Sequence, residues 1–471
     1  MTIAVPERGR GVQPGDHVHL VGIGGCGMSG LAHLLSMRGC AVTGSDLSAS
    51  PRLDRLSQGG IRVDIGQSAH HVQPGTRTVV VSAAVNDENP EVREARRLRI
   101  PVLRYSRVVG ELMSEVTGIA VAGTHGKTTT SSLIAQLLQE AGFDPSYLIG
   151  GEVPCLGGGS HWGRGRLFIV EACEYARSFL DLHPAIVAVT NLEADHLDYY
   201  ESLAEIVEAF RQFVDRLPDG GMLVAPRELL PLLGPRAAIR TLSVGIGSGA
   251  LAATGLRRRG TRFIYRAMLH GQDLGPFSLS VPGRHNVLNA LVATGAALAA
   301  GADPDQIRSA LPRFTGAGRR LEKIGTFAGV TVFDDYAHHP TEVRATLDAL
   351  VGGFPGRRVH AVFQPHQASR TRLFLEDFAS AFDGRVEVIV PDIYLARDSE
   401  SDAASVSSLD LVERIREGGG RAEYVPELGQ VIEALEQKVQ PGDLVVTMGA
   451  GNVNRVAHEL VRRLARAAEK C

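Results

Sequence analysis

Short runs of valine, isoleucine and alanine recur along the chain, each broken by glycine and followed by a stretch where apolar residues return every three or four positions. Between His17 and about Met113 the runs "HVHLVGI", "GCAVTGSD", "RTVVVSAA" and "IPVLRYS" predict strands alternating with helices, which is βαβ order and hence a parallel sheet. A second unit opens with "GIAVAGT", continues through "RLFIVEA", "AIVAVTN" and "GGMLVAP" to a long alanine-rich helix after Gly283, and ends near "FTGAGRR". The third begins with "GVTVFDDYAHHP" and holds three further strands, "RRVHAVFQP", "RVEVIVPDIY" and "GDLVVTMGA". The pattern contains no solenoid repeat and no low-complexity tract. A chain of 471 residues exceeds one hydrophobic core. The expected fold class is α/β with three domains, at residues 1–114, 115–318 and 319–471.

Composition narrows the function. A formal net charge of −3 gives no electrostatic reason to expect nucleic acid or an anionic membrane as partner. Cys26, Cys40, Cys155, Cys173 and Cys471 show no C-x-x-C spacing, so neither a disulfide framework nor a zinc site is suggested. The opening "MTIAVPERGRGVQPG" lacks an apolar signal core and is expected to be a disordered arm. "NALVATGAALAAG" is too short to span a bilayer, and a cytoplasmic location is expected.

Two glycine turns carry the chemistry. The first, Gly22-x-Gly24-x-x-Gly27 after a strand, with Asp46 at the end of the next, detects a diphosphate. Alone, it would also suit a nicotinamide-dependent oxidoreductase acting on a UDP-sugar. The second, "GIAVAGTHGKTTTSSLIAQLL", reads as a strand, a tight loop and an amphipathic helix. Here Gly123, Thr124, His125 and Gly126 offer backbone N–H groups to phosphate oxygens at a helix N-terminus. Lys127 would neutralise the β- and γ-phosphates, and the Thr128 hydroxyl would ligate Mg²⁺. The chain has 49 basic residues but only four lysines, Lys127, Lys323, Lys438 and Lys470, which makes a lysine kept in a glycine loop notable. An isolated loop of this kind also reads as a helix cap with threonines.

Three companions weigh against that bland reading. Glu171 ends the strand "RLFIVEA" and can bring a carboxylate to Mg²⁺, although a strand-end charge needs no such role. "VAVTNLEADHLDYY" clusters Asn191, Asp195, His196 and Asp198 at a strand's carboxyl end, the ligand edge of an open α/β sheet. "VPGRHNVLNALVA" sets His285 and Asn289 four apart on one face of a helix start, suited to an adenine or to capping.

In order, "GIGGCGMSGLA", "SAAVNDENPEV", "GTHGKTTT", "EACE…SFL", "TNLEADHLD", "GRHNVLNA", "GAGRRLE", "DDYAHHPTE", "FQPHQASRT" and "GAGNVNRVA" resemble the Mur ligase family of ATP-dependent amide-forming enzymes. Within it they are most similar to the members that attach L-alanine to UDP-N-acetylmuramate. The resemblance implies a Rossmann-like UDP-binding domain, a central P-loop-type ATPase with a mostly parallel sheet, and a C-terminal Rossmann-like domain. It implies that Gly22, Gly24, Gly25, Gly27, Met28, Ser29, Asp46 and Ser82 hold the UDP substrate. ATP falls to Gly123, Thr124, His125, Gly126, Lys127, Thr128, Thr129, His285, Asn289, Arg320 and Asp335, and the amino acid to Tyr336, His338, His366 and Arg370. The implied catalytic set is Lys127, Glu171, His196, Arg320 and His338, with Mg²⁺ on Thr128, Glu171 and His196.

The implied reaction passes through an acyl phosphate on the lactyl carboxylate, which the alanine amine then attacks. A monomer or homodimer is expected, with small molecules as its partners. Cys173 and Ala176 stand where many such enzymes carry acids, and Cys173 is expected to be a small buried residue. Gln367 and Ala368 replace a residue often basic and one often aromatic. The His338–His339 pair before Pro340 reads first as helix capping. No lysine lies between Lys127 and Lys323, so the carbamylated-lysine metal bridge of several sister ligases is absent. The competing readings are a ligase that adds a preformed tripeptide to the same UDP-sugar, the oxidoreductase, and a nucleotide-binding scaffold without turnover.

Overall fold

The computed structural model describes residues 11–197, 199–396 and 398–468. Its strands form three sheets, one for each expected domain, and the chain is a three-domain α/β protein. The first sheet runs in the order Arg62–Ile65, Ala41–Asp46, His17–Val21, Thr76–Val81, Val102–Arg104, every pair parallel. Because the chain leaves His17–Val21 first to one side and then to the other, the carboxyl end of that strand is the switch point where a parallel sheet opens a crevice. The first glycine turn sits there.

Part of the expected arm is ordered. Val12 is buried in the core and the Cys40 thiol donates to the Gln13 carbonyl at 3.4 Å, so the disordered reading fails for residues 11–15. Residues 1–10 lie outside the described residues.

The second sheet has ten strands in the order Gln272–Leu279, Arg262–Leu269, Leu251–Arg259, Arg240–Ile246, Met222–Pro226, Ile186–Val189, Thr117–Ala122, Leu167–Glu171, Ser146–Leu148, Ser160–His161. The apolar runs seen in the sequence are its centre, parallel and buried on both faces as such strands must be. Helix Lys127–Glu140, expected to be amphipathic, is instead buried from Thr128 to Leu138 on all sides, which its short threonines and serines allow, and the Ser132 hydroxyl donates back to the Thr128 carbonyl at 2.7 Å. One apolar cluster runs from Val18 and Leu20 of the first sheet to Ala120, Phe168 and Val187 of the second.

The third sheet has six strands, Glu322–Phe327, Val330–Asp335, Leu444–Met448, Val359–Phe363, Glu387–Val390 and Arg421–Tyr424, with only the first pair antiparallel. The two outermost were not expected from the sequence. Separate apolar clusters cover its two faces, one around Phe363 and Phe378, the other around Val332 and Leu460.

The chain divides into two compact units, Met1–Leu256, Tyr265–Ser278 and Val287–Phe314 in one, and Arg257–Ile264, Leu279–Asn286 and Thr315–Cys471 in the other. The second unit is therefore discontinuous: a methyl group on Gly352, near the end of helix Pro340–Gly353, would overlap the Arg258 guanidinium. No helix among the described residues is long and apolar enough to cross a membrane.

Candidate active site

In the first unit, the chain turns sharply after Val21. Gly22 adopts φ +77°, a conformation that L side chains rarely adopt, and a methyl group there would lie 2.9 Å from Ser82 Oγ. Gly24 N–H donates to Asp46 Oδ2 at 2.8 Å, so Asp46 braces the turn from the neighbouring strand end. Gly25 caps helix Cys26–Met37, leaving the N–H groups of Cys26, Gly27 and Met28 without intrahelical partners and available to an anion. The Met28 side chain points into the core. Ser29 is committed to the helix: its N–H bonds to the Gly25 carbonyl at 2.8 Å and its hydroxyl to the Cys26 carbonyl at 3.0 Å.

The second turn follows strand Thr117–Ala122. Gly123 has φ +136° and Gly126 φ +79°, and a methyl group on Gly126 would lie 2.7 Å from Asn289 Oδ1, which brings Asn289 onto the loop. The loop is clamped from the next strand end. His125 N–H donates to Asn191 Oδ1 at 2.8 Å, Asn191 Nδ2 donates to the His125 carbonyl at 2.9 Å, and Glu193 N–H donates to Thr124 Oγ1 at 2.9 Å. The His125 ring lies 3.6 Å from the Glu193 carboxylate. The cluster expected at Asn191 is thus, in good part, scaffolding for the loop, with Asp198 outside the described residues.

Strand register places Glu171 beside Val121, two residues before Gly123. Thr128 is the second residue of helix Lys127–Glu140, so a hydroxyl and a carboxylate flank the second glycine turn, oxygen donors of the kind Mg²⁺ takes. Glu171 Oε1 accepts from Gly150 N–H at 2.8 Å, and the Gly150 carbonyl accepts from the Cys26 thiol at 2.7 Å. Gly150 thereby joins the first residue of helix Cys26–Met37 to the candidate metal ligand. His196 has φ +54° and packs against Tyr175 with ring centroids 5.1 Å apart. Cys173, expected buried, is exposed in the loop after Glu171.

Sequence reasoning missed Glu174. Its carboxylate is buried and holds Lys127 Nζ at 2.9 and 3.0 Å, while the same ammonium donates to the Gly123 and Thr124 carbonyls at 2.5 and 3.1 Å. Burial opposes the ammonium, but Glu174 outweighs it and holds Lys127 above its ordinary value. The signal available was Lys127 itself, since a buried ammonium demands a counter-charge.

The remaining expected residues lie at the carboxyl ends of the third sheet, or, for His285, in the segment Leu279–Asn286 of the same unit. Asp335 ends its strand buried, its oxygens accepting from Leu321 N–H at 2.7 Å and Ala337 N–H at 2.8 Å. Burial raises its carboxyl to about 6, against the pull of Arg320. Arg320 lies over the Tyr336 ring at 5.2 Å and 3.7 Å from Glu342. Glu342 Oε2 is also 3.2 Å from His338 Nδ1. The rings Tyr336, His338, His366 and Tyr394 follow one another at 5.4, 6.2 and 5.6 Å. Arg370 follows on the short helix Ala368–Leu373. His339 caps helix Pro340–Gly353, accepting from Thr341 N–H at 3.3 Å, as its place before Pro340 suggests.

The description "Mur ligase family, catalytic domain" fits residues 17–117, "Mur ligase middle domain" residues 121–297, and "Mur ligase, glutamate ligase domain" residues 319–451. A UDP-N-acetylmuramate–L-alanine ligase of Caldanaerobacter subterraneus subsp. tengcongensis is 39% identical over 449 residues, covering 94% of this chain and 97% of its own. Among solved structures, a UDP-N-acetylmuramate-alanine ligase of Thermotoga maritima superposes with a TM-score of 0.80 and 27% identity, covering 96% of this chain and 99% of its own. A murein peptide ligase of Psychrobacter arcticus gives 0.70 and 26%, with the same coverage.

Proposed function

The chain belongs to the Mur ligase family, and we propose that it joins L-alanine to the lactyl carboxylate of UDP-N-acetylmuramate, driven by ATP, in the synthesis of peptidoglycan precursors. The observation that carries the reading is the pair of phosphate turns in one compact unit, linked through Gly150 from Cys26 of the first turn's helix to Glu171 beside the second. A UDP-sugar on the first turn and ATP on the second give the carboxylate a phosphoryl donor within the same body. This is an arrangement for activating an acid, and a hydride donor has no need of the lysine loop.

The first step brings two anions together, which requires positive charge at the γ-phosphate. Lys127 supplies one ammonium, and the N–H groups of Gly126 to Thr128 supply the helix N-terminus. Mg²⁺, held by Thr128 and Glu171 with a second ion near His196, would neutralise phosphate oxygens. Asn289 and His285 flank the adenine, and Arg320 and Asp335 are the C-terminal contacts to the nucleotide. The lactyl carboxylate attacks the γ-phosphate to form the acyl phosphate and ADP, and the alanine amine then displaces inorganic phosphate. Arg370 pairs with the alanine carboxylate. His338, oriented by Glu342, accepts the proton of the attacking amine. The domains fall at residues 1–114, 115–318 and 319–471, and the enzyme works in the cytoplasm as a monomer or homodimer.

The test is phosphate release from Mg-ATP with UDP-N-acetylmuramate and L-alanine each omitted in turn. Release is expected only with both present. Release that needs tripeptide in place of alanine would move the assignment to the tripeptide-adding ligases, and none under any pairing would refute the catalytic reading.

A further inference from the structure

Glu174 has no part in the chemistry above, yet it is the carboxylate closest to the phosphate-loop lysine. It is 3% exposed, and the Tyr200 hydroxyl fixes its backbone by donating to the Glu174 carbonyl at 2.5 Å. An ammonium has three protons to donate. Those of Lys127 are directed to the carbonyls of Gly123 and Thr124 and to the two oxygens of Glu174. A phosphate must therefore compete with these acceptors for the protons of Lys127. If Lys127 leaves, a buried carboxylate loses its counter-charge, which is among the costlier arrangements a protein interior can adopt. Among the described residues His196 also faces Glu174, its Nε2 3.7 Å from Oε1, and an imidazole at that distance replaces the ammonium only in part.

We propose that Glu174 is a positioning residue that couples nucleotide binding to the divalent cation: it holds Lys127 back from the phosphates unless positive charge arrives with the nucleotide to take the ammonium's place. The exchange breaks no covalent bond. Glu174 thereby discriminates against metal-free nucleotide, which would bring only negative charge beside a carboxylate it had just deprived of its partner. The inference rests on the loop being the ATP site.

The experiment is calorimetric binding of ADP to the full chain, with excess Mg²⁺ and with chelator. In the unaltered protein Mg²⁺ should tighten ADP binding, and equal affinity with and without it would overturn the proposal. In Glu174→Gln, which keeps the shape and a hydrogen bond to Lys127 but no charge, metal-free ADP should bind about tenfold or more tighter than in the unaltered protein. Mg-ADP should change less, so the Mg²⁺ enhancement shrinks by about the same factor. Glu174→Asp retains the charge and should retain the enhancement. An undiminished enhancement in Glu174→Gln, or its loss in Glu174→Asp, would overturn the proposal. A measurement on the unaltered chain stands beside these in case a variant does not fold. The ammonium resonance of Lys127 in lysine-labelled protein should move on saturation with Mg-ADP and stay in place with metal-free ADP; equal movement in both would overturn the coupling. Failure of Mg-ADP to bind the unaltered protein at all would instead remove the ATP-site reading beneath it.

Discussion

Asp335 offers a stability measurement whose sign the structure fixes in advance. Its carboxyl is 7% exposed and raised from 3.8 to about 6, chiefly by burial, with Glu342 and Asp334 adding to the rise while Arg320 and the Ala337 N–H oppose it. Between these two values the folded protein binds a proton that the unfolded chain does not. Folding is then favoured by protonation, so this contribution is present in full below about pH 4 and is lost as pH rises through about 6. A shift of about two units corresponds to about 3 kcal/mol at 1.36 kcal/mol per unit. For a unit of this size that is roughly 6–12 °C in the midpoint of its transition.

Asp335→Asn imitates the protonated form and removes the titration. Its own cost, one acceptor exchanged for an amide donor facing Leu321 or Ala337, is the same at every pH and cancels from the comparison. Scanning calorimetry of both proteins from pH 7.5 to pH 4 should therefore show the unaltered chain gaining on the variant by about 3 kcal/mol as pH falls. A gap that stays flat, or that moves the other way, would mean that Asp335 is not a raised carboxyl, and the burial argument for it would be wrong.

Three further outcomes are expected. Lys127→Ala should lower ATP-dependent phosphate release by on the order of 10²-fold or more, as removal of a preorganised charge does, and residual activity within a few-fold of normal would exclude Lys127 from the transition state. Gly123→Ala places a methyl group into Thr190 Oγ1 at φ +136°, so nucleotide binding should be lost while the UDP-sugar still binds at the separate first turn. Glu91 is fully buried and accepts from Ser45 Oγ at 2.7 Å and Ser68 N–H at 3.1 Å, with His19 and His71 at 3.0 and 2.9 Å. Glu91→Ala should accordingly cost the first unit about 3–5 kcal/mol in thermal unfolding, and a loss below about 1 kcal/mol would show that the network is dispensable.

The parts of the fold legible in the sequence were those whose residues answer to one environment. Strands such as Ile186–Val189 and Leu444–Met448 are buried on both faces, and their unbroken apolar runs say so. Arg421–Tyr424 and Glu322–Phe327 are edges, half exposed and written in arginine, glutamate and lysine, a composition that guards an edge and conceals a strand. The site divides in the same way. Lys127 and Glu171 could be read because each stands at a fixed distance from a turn or strand end, whereas Glu174 follows the exposed Cys173 in a loop whose fold no periodicity reports. Ser29 lies within the glycine motif, where the helix takes its N–H for the Gly25 carbonyl and its hydroxyl proton for the Cys26 carbonyl.

The discontinuity of the second unit has a consequence for how the chain is made. Every segment of the first unit has left the ribosome once Phe314 has emerged, but Arg257–Ile264 and Leu279–Asn286 belong with Thr315–Cys471, which is still to be translated. At roughly 5–20 residues per second these two segments wait about 10–40 s for the remainder of their unit. The first of them reads "RRRGTRFI", the turn between two neighbouring strands of the second sheet, and its four arginines keep it soluble in the interval.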